Sequence, residues 1–265
     1  MGYRSSAQGV ISDLTVLGIG DDDLNYLLPT HVHLDHCGAC GTLAGKYPNA
    51  TVLVHPRGEP HLSDPRRLVK GAGELFGEQL MQRYGLPDPI ENGRVRSVAD
   101  DEAIDLGNGM TLRSIWTPGH ASHHLSYLLE GAGVLFTGDA VGLRHPAFPA
   151  LVPTTPPPSF NLDKAVESLR RLSELTVKRL CTPHFGTLDG AGELFQRNIS
   201  ALMDWRSKLD GFIFRGLNVD QMATELIEEV CEGIGRSVAD VPQYLRVSIG
   251  VSVLGFVGYL KWKSE

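Results

Sequence analysis

Four potential metal ligands crowd into six residues, His31-Val32-His33-Leu34-Asp35-His36, directly after the apolar run Leu24-Asn25-Tyr26-Leu27-Leu28. A chain carrying this pattern has to set a buried strand next to a polar, ligand-rich tip. If 31 to 35 is extended, residues 31, 33 and 35 project to one side, because side chains alternate along a strand. His36 joins them only if the chain turns there. Three imidazoles and a carboxylate suit Zn²⁺, with Fe and Mn as alternatives. Solvated surface histidine clusters also occur, so the motif gains its weight from the residues further along the chain.

More His and Asp residues recur downstream, each at the end of a strand-like run. Leu112-Arg-Ser-Ile-Trp-Thr-Pro-Gly-His120 ends in a Pro-Gly turn with a histidine at its tip. Gly133-Val-Leu-Phe-Thr-Gly-Asp139 ends in an aspartate, and Arg179-Leu-Cys-Thr-Pro-His184 in another histidine. Loops at strand ends are where scaffolds carry catalytic groups. The inventory suits two metal ions that share one bridging carboxylate.

These motifs, His31-x-His33-x-Asp35-His36, Thr117-Pro-Gly-His120, Thr137-Gly-Asp139 and Pro183-His184, resemble the signature of the metallo-β-lactamase fold superfamily of metallo-hydrolases. The resemblance covers about residues 5 to 190. It implies an α+β fold, the αβ/βα sandwich of that superfamily, here with a C-terminal helical extension. The implied domains are 1–190 for the metallo-β-lactamase region and 191–265 for the extension. It also implies a first metal site of His31, His33 and His120, a second of Asp35, His36 and His184, and Asp139 bridging the two. Two Zn²⁺ per chain are the implied cofactors, with Fe or Mn as alternatives. A metal-bound hydroxide would attack a carbonyl carbon or a phosphorus, and Asp35 would orient it as the catalytic residue. Ligand histidines bind metal as neutral rings, so activity is expected to fall in acid.

Composition agrees with an enzyme of this kind. The apolar fraction of 42% is ordinary, and net charge is 24 − 31 = −7 with His neutral. An acidic balance disfavours a broad nucleic-acid surface, which needs a basic patch. The polar start, Met1-Gly-Tyr-Arg-Ser-Ser6, shows no secretory signal, so a cytoplasmic enzyme is expected. The family's opening strands, which precede the His motif, are expected to be missing. Gly2 falls where their closing turn would lie, and Ser6 to Leu17 reads as the next helix, with Ala7, Val10, Ile11 and Leu14 at helical spacing. A missing strand pair would expose a sheet edge.

Elsewhere the reading is coarser. Thr51 to His55 is a buried strand, a helix is expected at Glu74 to Tyr84, and Met110 to Thr117, Leu125 to Leu129 and Val134 to Thr137 are strands. Arg144 to Pro149 and Pro153 to Pro158 are expected to form a rigid, irregular loop, because proline removes a donor and fixes φ. Leu162 to Leu175 and Glu193 to Leu209 read as amphipathic helices, and Asn218-x-x-Gln221 as a capping box opening a third. The apolar run Val247 to Leu260 has fourteen residues, short of the roughly 20 a membrane span needs. It reads as a buried helix or a homodimer surface, with Gly250, Gly255 and Gly258 allowing close approach.

Cys37 and Cys40 form a lone C-x-x-C, read as small packed residues whose position beside the motif suggests oxidation sensitivity. Cys181 and Cys231 are expected in the core. His55 and His61 are expected to line strand ends. Thr117 to Tyr127 resembles a variant of the superfamily in which a later histidine supports the site from behind, a role that falls to His124 ahead of His123; His145 is either a substrate contact or a plain loop residue. In several members of the superfamily a helical tail narrows the substrate pocket.

Three functions are implied by the resemblance. The favoured one is hydrolysis of a small ester, thioester or lactone, as in glyoxalase II-like thioesterases and lactonases. The alternatives are a phosphodiesterase or nuclease and an iron-dependent sulfur oxygenase. The expected partner is a small-molecule substrate, without nucleic acid or a membrane span.

Overall fold

The computed structural model describes residues 1–146, 148–189 and 191–265. The chain divides into two compact units, Met1–Glu102 and Ala103–Glu265.

The first unit opens with a short 3-10 turn and helix α1 (Ala7–Val16). Its Ala7 is buried, and Val10, Ile11 and Leu14 pack on the same core, as their spacing predicts. Strand β1 (Tyr26–Leu27) leads to α2 (Leu34–Cys37) and α3 (Cys40–Lys46), then to β2 (Thr51–Val54). Helices α4 (Glu59–Ser63), α5 (Arg66–Phe76) and α6 (Glu78–Tyr84) precede β3 (Val95–Ser97). The helix expected at Glu74 to Tyr84 is therefore two helices broken at Gly77. The sheet order is β1-β2-β3, with both pairs parallel. Val52, Leu53 and Val54 of the central strand are fully buried, as a parallel strand covered on both faces requires. Arg94 ties this unit together by donating to the carbonyls of Ala44, Tyr47 and Ala50.

The extended reading of residues 31 to 35 needs correction. The chain becomes helical at Leu34, with His33 as the residue that caps α2. Strand β1 already ends at Leu27, residues 28–33 are irregular, and the helical turn carries Asp35 and His36.

The second unit contains β4 (Ala103–Asp105), β5 (Thr111–Trp116), β6 (Leu125–Leu129), β7 (Val134–Phe136), β8 (Leu143–His145) and β9 (Phe148–Val152). Next come α7 (Leu162–Ser173), β10 (Arg179–Thr182), β11 (Gly186–Asp189), α8 (Ala191–Phe214), α9 (Val219–Gly233) and α10 (Gln243–Ser264). Six strands form one sheet in the order β11-β10-β7-β6-β5-β4, in which only the β10–β7 pairing is parallel.

The expected irregular loop at Arg144 to Pro149 is in part a hairpin, β8 with β9; Ala147, within that loop, lies outside the described residues. Pro149 fits a strand here because the register jumps from Arg144↔Leu151 to His145↔Phe148, so no ladder bond depends on its missing N–H. Pro153 to Pro158 is irregular, as expected.

One core runs through this unit. Leu135 and Leu180 of the sheet, Leu169 and Leu172 of α7, Leu209 of α8, Leu226 of α9 and Ile249, Val253 and Phe256 of α10 are each fully buried. Burying such a side chain contributes about 1.5–3 kcal/mol. Asn218 caps α9 with the full reciprocal capping box. Helix α10 is 22 residues, longer than its fourteen-residue apolar run, and reaches the length and apolarity of a membrane span on composition alone. Of its three inner glycines only Gly255 makes a close approach: a Cβ there would stand 2.1 Å from the Thr155 carbonyl oxygen, while Gly250 and Gly258 have open space.

Candidate metal centre

The first unit brings four of the expected ligands together. His31 is fully buried and His36 is 5% exposed. The Nε2 of His31 lies 3.0 Å from Nδ1 of His33, and the rings of His31 and His36 are 4.0 Å apart. His36 Nε2 stands 3.3 Å from a carboxylate oxygen of Asp35. Two nitrogens bound at 2.0–2.1 Å to one tetrahedral zinc stand about 3.4 Å apart. Ring nitrogens turned toward each other at this spacing fit chelation of a cation. Asp35 is partly open, with 31% of its side chain exposed.

The second unit brings together the other three. Asp139 sits on a 3-10 turn just after β7 and is 8% exposed. One of its carboxylate oxygens faces His120 Nε2 at 3.5 Å and the other faces His184 Nε2 at 3.8 Å. A carboxylate offering one oxygen to each of two imidazoles is the shape of a bridging ligand.

The surroundings fix which nitrogen of each ring is available. His120 Nδ1 must carry a proton, because it meets the backbone carbonyl of Thr154 at 3.0 Å, and this leaves Nε2 with its lone pair toward Asp139. The Thr154 hydroxyl donates to the Asp139 carbonyl at 2.7 Å. Gly119 lets the His120 turn sit against α7: its φ is +144°, and a Cβ would lie 2.4 Å from the Ala165 Cα.

His124 supports Asp139 from behind. Its Nε2 accepts the Asp139 N–H at 2.9 Å, so its proton is on Nδ1, which donates to the Thr117 hydroxyl at 2.8 Å. Thr117 then donates to Ser126 at 3.1 Å, and Ser126 to the Thr137 carbonyl at 3.0 Å. The three side chains of this relay, His124, Thr117 and Ser126, are buried at 1% exposure or less. Each donor in this chain is fixed by the one before it. Replacing His124 with alanine should orphan a buried N–H and weaken metal affinity about 10- to 100-fold. His124→Gln, whose carbonyl can accept from the same N–H, should recover part of that loss in a chelator-competition titration.

His123 is buried. His55 follows β2 and accepts the Arg57 N–H at 3.1 Å, and burial lowers its pKa. His61 lies in α4 and is lowered for the same reason. Thr154 escaped the sequence reading because nothing local marks a residue whose partner lies 34 positions away in the chain.

Burial argues against the expectation of oxidation-sensitive Cys37 and Cys40. Both are buried free thiols. Burial raises the Cys37 pKa well above the usual thiol value, with Cys40 and Asp35 adding to the effect, and burial pushes Cys40 up to about 12. A thiol that stays protonated is a poor nucleophile and resists oxidation. In peptide mapping after iodoacetamide at pH 8, both should remain unlabelled until the protein is denatured.

Comparisons with known proteins give the family. The Metallo-beta-lactamase superfamily profile matches residues 2–184, and the chain belongs to that superfamily. It is 35% identical over 168 residues to the metallo-beta-lactamase fold-containing protein ST1585 of Sulfurisphaera tokodaii, covering 62% of each chain. It is 30% identical over 184 residues to the N-acyl homoserine lactonase AttM of Azorhizobium caulinodans, covering 67% of this chain and 64% of that one. The chain thus spans under two thirds of the length of these curated relatives. The crystal structure of the metallo-beta-lactamase family protein TTHA1429 from Thermus thermophilus shares the fold, with a TM-score of 0.70 over 99% of this chain and 83% of its own, at 22% identity.

Proposed function

We propose that this protein is a binuclear-metal hydrolase acting on a small ester, thioester or lactone. The ligand assignment is the one that the superfamily's motifs imply: His31, His33 and His120 for one ion, Asp35, His36 and His184 for the other, with Asp139 a ligand of both. In this reading residues 1–190 supply the ligands and 191–265 the helical extension. The observation that carries it is Asp139, whose two oxygens each face a different imidazole, at 3.5 and 3.8 Å. Membership of the superfamily and the lactonase name of a relative support a carbonyl substrate.

Bound zinc ions would lower the pKa of water from 15.7 to about 7 and polarise the scissile carbonyl. The chain's own residues would do the rest. Asp35, the open carboxylate, would accept a hydrogen bond from the attacking water and hold its lone pair toward the carbonyl carbon. His120 would stay in one tautomer through Thr154, and Asp139 would be kept in place by His124.

The test is elemental analysis of protein purified without added metal, with turnover measured on thioesters, lactones and phosphodiesters. About two zinc ions per chain with carbonyl-ester turnover is the expected result. One iron per chain without hydrolysis would sink the reading.

A further inference from the structure

Phe185 is the oddest residue in the second unit. It directly follows His184, and its backbone is left-handed at φ +65°. The turn itself explains the dihedral. Thr182 pairs with Gly186 across the β10–β11 hairpin, leaving a three-residue loop, Pro183-His184-Phe185. Such loops run a type I turn into one left-handed residue, normally glycine. The Thr182 hydroxyl braces the loop from inside against the carbonyls of His184 and Gly186. The turn therefore demands the conformation but not the side chain. A bulky aromatic in that position is a genuine outlier, of a kind that clusters at ligand-binding sites.

The ring is not spent on the core. Phe185 is 44% exposed, and it stands edge-on between two other rings. His145 of β8 is 4.6 Å away, and Tyr244 of α10 is 5.7 Å away at 82°. Tyr244 is itself 43% exposed, and its hydroxyl lies 3.4 Å from Nδ1 of His184. Three segments distant in sequence thus place aromatic surface beside one proposed metal ligand, at strained backbone and without burying it.

We infer that Phe185, Tyr244 and His145 form an aromatic wall that seats the aliphatic acyl chain of the substrate next to His184. This deepens the hydrolase reading and rests on it for the identity of the scissile group. Phe185 at its centre offers only an apolar ring, so the wall selects apolar length rather than a headgroup. Tyr244 adds a positioning contact: His184 presenting Nε2 to metal carries its proton on Nδ1, which donates to the phenol oxygen.

The experiment measures binding and turnover separately, on the zinc-loaded full chain. Straight-chain carboxylates from acetate to decanoate are titrated calorimetrically, and kcat/KM is measured for the matching p-nitrophenyl esters. Wild-type affinity should rise with chain length, by about tenfold or more between acetate and octanoate. Compared at equal zinc loading, Phe185→Ala and Tyr244→Ala should flatten that rise with circular dichroism unchanged, while Tyr244→Phe should keep it, since the ring remains. A chain-length dependence equal to wild type in both alanine variants would overturn the wall, as would a wild type that binds octanoate no better than acetate. If carboxylate binding shows the expected pattern but no ester, thioester or lactone is turned over, the wall stands and the hydrolase reading falls.

Discussion

Asp139→Ala should strip the protein of metal and lower turnover by at least about a thousandfold, equivalent to about 4 kcal/mol of transition-state stabilisation. Both oxygens of that carboxylate are engaged, one toward His120 and one toward His184. Removing it leaves the second unit's two imidazoles with no carboxylate between them to offset a dication. The variant should still fold. The N–H of residue 139 would still reach His124, and its carbonyl would still accept from Thr154, because both contacts are made by backbone. Elemental analysis beside circular dichroism separates loss of metal from loss of structure. Unchanged metal content and turnover in a folded variant would remove Asp139 from the centre.

Gly255→Ala should destabilise the protein by about 3 kcal/mol or more, at the upper end of what overpacking costs. The new Cβ would sit 2.1 Å from the Thr155 carbonyl oxygen and 2.5 Å from Pro156 and Pro157 backbone atoms. Backbone cannot swing aside as a flexible side chain would. Helix α10 grips the same segment through Ser252, whose hydroxyl accepts the Thr155 N–H at 3.2 Å and whose carbonyl accepts the Thr155 hydroxyl at 2.7 Å. One residue earlier, Thr154 holds His120 and Asp139. Pushing α10 away therefore shifts the residues that orient two proposed ligands. Chemical denaturation should show the loss of stability, and metal affinity should fall with it. Gly258→Ala, which meets open space on the same helix, is the control expected to change neither.

The sequence made the strand ends legible because each is a run of apolar residues that stops at a His or Asp. Leu112 to His120, Gly133 to Asp139 and Arg179 to His184 all end where β5, β7 and β10 give way to turns. The capping box at Asn218 was legible for the same local reason. What failed was local pattern set against tertiary context. Alternation through Asp35 looked continuous because both a strand and a helical turn fit His33-Leu34-Asp35, and only the fold decides for the helix at Leu34. Pro149 argued against a strand until the register jump in β9 removed the need for its N–H. Gly250, Gly255 and Gly258 look alike in sequence, and only Gly255 meets a neighbouring backbone. The contacts of Thr154 and Tyr244 span 34 and 60 positions in the chain and leave no periodic trace.

With Phe185 in the proposed acyl-chain wall, its left-handed backbone would set heat tolerance against activity. Glycine at that turn would release strain worth about 1 kcal/mol or more, and asparagine would release part of it. A laboratory population selected only for surviving heat would be expected to drift to those residues and to emerge hardier but poorer at holding long acyl chains. Retention of an aromatic under selection for turnover, and its loss under selection for heat alone, would show that stability is being given up there for function.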